Sequence, residues 1–123
     1  MPVQVKRVFE PVAATDGYRV LVDRLWPRGV SRQAAAVDAW LKSLAPSDEL
    51  RRWFGHDPAK WAEFSRRYRQ ELAAPELAAS LADLKGRAGR GALTLVYAAA
   101  DTSHNSAVVL RDVLTDQPNP EAP

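Results

Sequence analysis

Two polar stretches carry the side chains of this 123-residue chain that could do chemistry. Asp23-Arg24-Leu25-Trp26-Pro27-Arg28-Gly29 follows the apolar run Tyr18 to Val22, and Asp101-Thr102-Ser103-His104-Asn105-Ser106 follows the apolar run Leu93 to Tyr97. Arg24 and Arg28 are planar donors that can hold a carboxylate or phosphate through two parallel bonds. His104 carries an imidazole, a group suited to general acid or base work, oriented by Asp23 or by Asp101. Ser103 and Asn105 stand where a helical pattern begins, so one of them is an N-cap, and the free amides of that helix start favour an anion. Each feature also has a structural reading: an Asp23–Arg24 bridge at the end of a strand, a hydrogen-bonded loop histidine, a cap.

Other chemistries fit the residues less well. Asp101, Ser103 and His104 lie within four residues, whereas catalytic triads are assembled from separated segments. Gly86-Arg87-Ala88-Gly89-Arg90-Gly91 precedes a strand, while the dinucleotide fingerprint follows one. His56-Asp57 and Asp101 with His104 match no recognised metal-ligand spacing, so neither a metal nor a cofactor is expected. The chain has no cysteine, which excludes disulfides, thiol nucleophiles and thiolate metal sites.

The elements that must position these residues are legible in the pattern. Val3 to Phe9 alternates as a first strand, Pro11 to Gly17 reads as a turn or loop, and a second strand runs from Tyr18 to about Leu25. Ser31 to Leu44 reads as partly helical, with Val37, Trp40, Leu41 and Leu44 at helical spacing. Ser47 with Asp48 and Glu49 begins a short helix that ends at Gly55, and Asp57-Pro58 begins another that runs to about Ala73. A helix from Pro75 ends near Gly86, a Gly-rich turn covers Gly86 to Gly91, a strand follows from Leu93 to Ala98, and a last helix carries Val108, Val109, Val113 and Leu114. The expected fold is α/β, a single small domain over 1–114 with a short, largely parallel sheet and a helical middle; the tail 115–123 is expected to be disordered. Parallel pairing of the second and last strands would bring Asp23-Arg24 and Asp101-His104 to one edge, and ligands of open α/β sheets sit at the carboxyl ends of the strands.

Composition agrees with an ordinary soluble domain: 46% hydrophobic, 26% charged, net charge +2. No membrane-length apolar run or signal-like N-terminus is present, so no membrane partner is expected and a cytoplasmic location is. The charge is uneven, with nine Lys/Arg against five Asp/Glu from Arg51 to Arg90. That basic middle, with Trp53, Phe54, Trp61, Phe64 and Tyr68 interleaved, could serve a nucleic acid or an acidic protein. The spacing of Trp61, Phe64, Tyr68 and Leu72 favours a core-facing stripe instead. The residues set no oligomeric state.

Taken together, the block from Tyr18 to Gly29, Trp40-Leu41-Lys42 with Leu44 to Ser47, Trp53 to Pro58, Phe64 to Tyr68 with Glu71-Leu72, and Leu95 to Ala99 through His104-Asn105 resembles the YeaO-like branch of the domain-of-unknown-function 488 family, over Lys6 to Leu114. The resemblance implies a bacterial cytosolic protein without an assigned activity. Many members of the wider group carry cysteine and Cys-His in the second loop; here Ala98 to Asn105 keeps only His104. The expected function is binding of a small anionic ligand, such as phosphate, a nucleotide or a phosphorylated metabolite, by Arg24, Arg28, Asp101, Ser103 and Asn105. His104 and Asp23 are the groups for hydrolase or transferase chemistry if there is turnover. The rival expectation is a binding module built on the basic helices of 51–69.

Overall fold

A computed structural model describes residues 3–118; Met1, Pro2 and residues 119–123 of the expected tail lie outside the described residues. Four parallel strands, β1 (Val3–Arg7), β2 (Tyr18–Leu21), β3 (Ala39–Trp40) and β4 (Leu93–Tyr97), form one sheet in the order β1-β4-β2-β3. The helices are α1 (Arg32–Ala35), α2 (Asp48–Phe54), α3 (Trp61–Leu72), α4 (Ala78–Arg90) and α5 (Ser106–Leu114). The chain is thus a single small α/β domain with a helical middle. None of these helices is long and apolar enough to cross a membrane.

Side chains alternate across the sheet, as a pleated strand requires. Val20, Val22, Leu93, Leu95 and Tyr97 face one side, where Leu50 and Phe54 of α2, Phe64, Tyr68 and Leu72 of α3, Leu84 of α4 and Leu110 of α5 complete the main core. Leu21 and Val96 face the other side, with Ala35 of α1 and Val8. Tyr68 is fully buried and its hydroxyl donates to the Leu44 carbonyl at 2.6 Å, so the α3 stripe is core, as its spacing predicts.

Arg19 of β2, 3% exposed, ties α1 to the sheet: it pairs with Asp16 at 2.7 Å, and its Nε and Nη2 donate to the Ala36 and Ala35 carbonyls at the end of α1. The carbonyls left over at a helix end are acceptors in search of donors, and a guanidinium satisfies two at once.

Four expected elements are corrected. Ser31 to Leu44 is only briefly helical: Ser31 caps α1, Ala36 turns left-handed (φ 49°), and Asp38 accepts from the Arg19 amide so that Ala39-Trp40 joins the sheet as an edge strand. Gly86 to Arg90 is not a turn but the last turns of α4, held by buried Leu84 and Ala88 and by an Asp83–Arg87 pair at 3.0 Å. Burial outweighs the cost of two glycines, about 1 kcal/mol each. The first two strands also end earlier than their apolar patterns, at Arg7 and Leu21, although the Val22 amide still reaches the Val96 carbonyl.

The topology creates a crevice. The chain leaves β2 toward the α1 face and leaves its neighbour β4 toward the α5 face. The two loops part at the carboxyl ends of adjacent strands, where open α/β sheets hold ligands.

Candidate functional site

The loop after β2 is pinned by two indoles. Trp40 Nε1 donates to the Asp23 carbonyl at 2.8 Å, and Trp26 Nε1 donates to the Val30 carbonyl at 2.6 Å. The rings meet edge to face at 5.4 Å, with the Arg32 guanidinium 4.7 Å above Trp26. Pro27 to Val30 closes as a turn (Val30 amide to Pro27 carbonyl, 3.4 Å) with Gly29 at φ 78°, a third position that favours glycine. Arg28 stands exposed at its tip, with no hydrogen-bond or ion-pair partner among the described residues.

The loop after β4 is organised by Asp101. One carboxylate oxygen accepts from the Ser103 and His104 amides at 2.9 Å each, which holds the carboxyl below its ordinary range, and the other meets His104 Nδ1 at 2.9 Å. An ionised carboxylate only accepts, so Nδ1 carries the hydrogen and Nε2 is the acceptor of the neutral ring. The imidazole also packs edge-on against Trp61 at 5.2 Å. Asn105 is the N-cap of α5: its Oδ1 accepts from the Val108 amide and its Nδ2 donates to the Asp101 carbonyl. Asn105→Ala should therefore lower stability by about 1 kcal/mol, read by denaturant unfolding.

The third wall is the segment leading into α2, clamped from both sides. Arg24 Nε and Nη2 donate to the Pro46 and Ala45 carbonyls at 2.9 and 3.3 Å, and Glu71 of α3 accepts from the Ser47 amide and hydroxyl at 2.8 and 2.6 Å. Arg24 is thus largely committed to the wall. Arg24→Ala should cost about 1–2 kcal/mol in denaturant unfolding, less than a fully buried charged bond because the guanidinium is partly solvated. Arg51 projects from α2, and past its end Gly55 and His56 both take left-handed conformations (φ 54° and 56°). His56 is the strained one, since a side chain there is uncommon.

These three segments enclose a cleft of about 420 Å³. Asp23, Arg24, Arg28, His104 and Asn105 line it, with Arg51 and His56. Asp101 and Ser103 stand behind His104 rather than on the wall. The stacked rings of Phe54 and Phe64, centroids 4.2 Å apart, back the cleft from the buried core, and Leu25 lies at the mouth, 62% exposed.

Asp23 contacts neither Arg24 nor His104 through a hydrogen bond: its Oδ2 accepts from the Ala98 amide at 2.9 Å. Burial pushes its carboxyl up to about 6, against the opposing pull of that amide and of His56. The groups that could orient an anion were readable in the two loops. Arg51, Phe54 and Phe64 were readable only as helix residues, because nothing in a helical period tells which turn faces a loop fifty residues away.

The basic surface is partly self-neutralised. Arg66 and Arg67 both bond Glu63, at 2.6–2.9 Å, and these bonds hold the Glu63 carboxyl down to about 2. Arg67 also lies 4.4 Å over Trp53, whose ring meets Lys60 at 5.1 Å.

Comparison with known proteins gives relatives of the same length. The model described as the inactive DUF488-N3 subclade matches residues 2–122. The chain is 45% identical over 115 residues to the uncharacterized protein YeaO of Escherichia coli (strain K12), which covers 93% of this chain and 97% of the relative. It is 42% identical over 112 residues to the uncharacterized protein Rv3073c of Mycobacterium tuberculosis, covering 91% and 92%. No solved structure matches the chain.

Proposed function

Since the chain belongs to the inactive DUF488-N3 subclade, we propose that its cleft is a binding site for a small phosphorylated or carboxylate ligand, held without turnover. The observation that carries this reading is Arg28, a guanidinium with no protein partner among the described residues, on the wall of a cleft that Arg51, His56 and His104 also line. A side chain of this kind gains little from solvent and much from a tetrahedral or planar anion that takes its two parallel bonds. The start of α5 adds its first amides on the same wall, at Asn105 and Ser106.

The roles divide by geometry. Arg28 and Arg51 hold the anion; His104, fixed through Nδ1 by Asp101, offers a further bond through Nε2 and becomes a donor when protonated. Arg24 and Glu71 keep the wall in place. The subclade's description as inactive supports binding over turnover, as does the loop of Ala98 to Asn105, where no thiol is present.

A thermal-shift titration at fixed ionic strength tests this. Inorganic phosphate, phosphorylated sugars and nucleotides are compared with chloride and sulfate. A ligand at 100 times its Kd should stabilise the fold by about 2.7 kcal/mol, a rise in Tm of roughly 10 °C for a domain of this size. A response to chloride equal to every phosphorylated compound would overturn the reading.

A further inference from the structure

We infer that the ligand of this cleft is a small zwitterion, with its phosphate or carboxylate on Arg28 and Arg51 at the mouth and a protonated amine on Asp23 Oδ1 at the base. This rests on the anion-binding reading above and adds the class of ligand.

The cleft is bipolar, and burial sets its direction. Asp23 follows β2 and accepts through Oδ2 from the amide of Ala98, which follows β4, so its carboxyl bridges the ends of the two central strands at the base of the crevice. Arg28 and Arg51 line the same cleft and are exposed. Arg28 has no partner among the described residues, and Arg51 reaches only Asp48, at 3.5 Å. The cationic end is therefore outward and the anionic end inward. A volume of about 420 Å³ leaves room for a chain that joins two charged groups.

Asp23 is what a plain anion leaves unexplained. Its Oδ1 has no hydrogen-bond partner among the described residues. The neighbouring donors are engaged elsewhere: Arg24 donates to the Ala45 and Pro46 carbonyls and His104 meets Asp101, while His56 favours the charged carboxyl without bonding to it. Burial pushes the carboxyl up to about 6, as expected of a base short of solvation and not yet paired. A phosphate with no positive group would bring a second negative charge toward that base, where little water screens the two. An ammonium on the same ligand supplies both the missing hydrogen bond and the missing charge. A neutral hydroxyl supplies only the bond.

Isothermal titration at pH 7.5 and fixed ionic strength with 2-aminoethyl, 3-aminopropyl and 4-aminobutyl phosphate tests the inference. Each is compared with the alkyl phosphate in which a methyl replaces the ammonium and with the hydroxyalkyl phosphate of the same length; 4-aminobutanoate against pentanoate does the same for a carboxylate head. At one chain length at least, the amine should bind tenfold or more tightly than both analogues. Asp23→Asn, which keeps an oxygen for the Ala98 amide, should act in opposite directions. The advantage of the amine should fall below twofold, while the alkyl phosphate binds twofold or more tightly than it does to the wild type, because a negative charge has gone. A residue that only shaped the cleft would move both compounds the same way, and that result would overturn the inference. Alkyl phosphates equalling the amines at all three lengths, with pentanoate equalling 4-aminobutanoate, would overturn the amine site while leaving the anion site standing. Hydroxyalkyl phosphates equalling the amines would overturn the need for charge, and with it the zwitterion. Propylamine equalling 3-aminopropyl phosphate, with Arg28→Ala without effect, would overturn the anion site itself. No binding by any of these compounds or by inorganic phosphate would overturn both.

Discussion

Arg28→Ala is expected to weaken binding of a phosphorylated ligand by about 10- to 100-fold, because a charge-assisted bond contributes about 1.5–3 kcal/mol and every 1.4 kcal/mol is tenfold. The fold should be unaffected, within about 0.5 kcal/mol, since Arg28 is exposed at a turn tip and supports nothing. That separation of affinity from stability is what distinguishes it from Arg24, whose bonds to the Ala45 and Pro46 carbonyls make it part of the wall. Arg28→Lys should recover part of the affinity, because the charge returns without the fork. Raised ionic strength should weaken the wild type more than Arg28→Ala. Binding titrations of the three proteins at two salt concentrations read all of this, and an Arg28→Ala affinity equal to the wild type would remove the residue from the site.

Asp23→Asn is expected to stabilise the protein by about 2–3 kcal/mol at pH 7.5. The sign follows from linkage. Burial holds the folded-state carboxyl at about 6 against 3.8 in its ordinary setting, so between those values the native state binds more protons than the unfolded chain and stability falls as pH rises. Above about pH 6 the whole cost is present, about 3 kcal/mol for that difference; below 3.8 both states are protonated and it vanishes. Asparagine keeps an oxygen for the Ala98 amide and carries no charge. The gain should therefore shrink to about 0.5 kcal/mol at pH 4. Chemical denaturation of both proteins at the two pH values measures it. Equal stability at pH 7.5 would show that the carboxylate is better solvated than its position implies. A carboxyl kept at such a cost, when an amide would serve the fold, fits a residue retained for what it binds.

Much of the fold could be read from local chemistry. Ser47 caps α2 and accepts from the Leu50 amide, Gly55 ends it in the left-handed region, and Asp57 with Pro58 starts the next turn. These are signals between residues three or four apart, so sequence carries them in full. Parallel pairing of β2 with β4 was legible because a long helical crossover separates two strong apolar runs. β3 was not, since two residues cannot display a period, and its pairing depends on Asp38 reaching the Arg19 amide. Gly86 and Gly89 misled because glycine marks turns on average, while Leu84 and Ala88 between and before them are buried against the core.

The site divides in the same way. Arg28 and His104 were identified as polar groups after strands, and the parallel sheet brings them to one cleft. The partners were less legible: Asp101 rather than Asp23 orients His104, and Arg24 holds main-chain carbonyls more than twenty residues away. Bonds to main chain leave no trace in residue identity, which is why Arg24 resembled an anion ligand in the sequence and acts chiefly as a clamp in the fold. Arg51 and His56 enter the cleft because α2 ends beside it in two consecutive left-handed residues.

The most direct test of the cleft as the ligand site is an amide and indole NMR titration of the intact chain with 3-aminopropyl phosphate and, in parallel, inorganic phosphate. The account predicts the largest shifts at the Ala98, Ala99, Ser106 and Ala107 amides, the Arg28 amide and the Trp26 indole. It would be contradicted by shifts concentrated at Arg66, Arg67 and the Trp53 indole, which would place ligand binding on the basic face of α3.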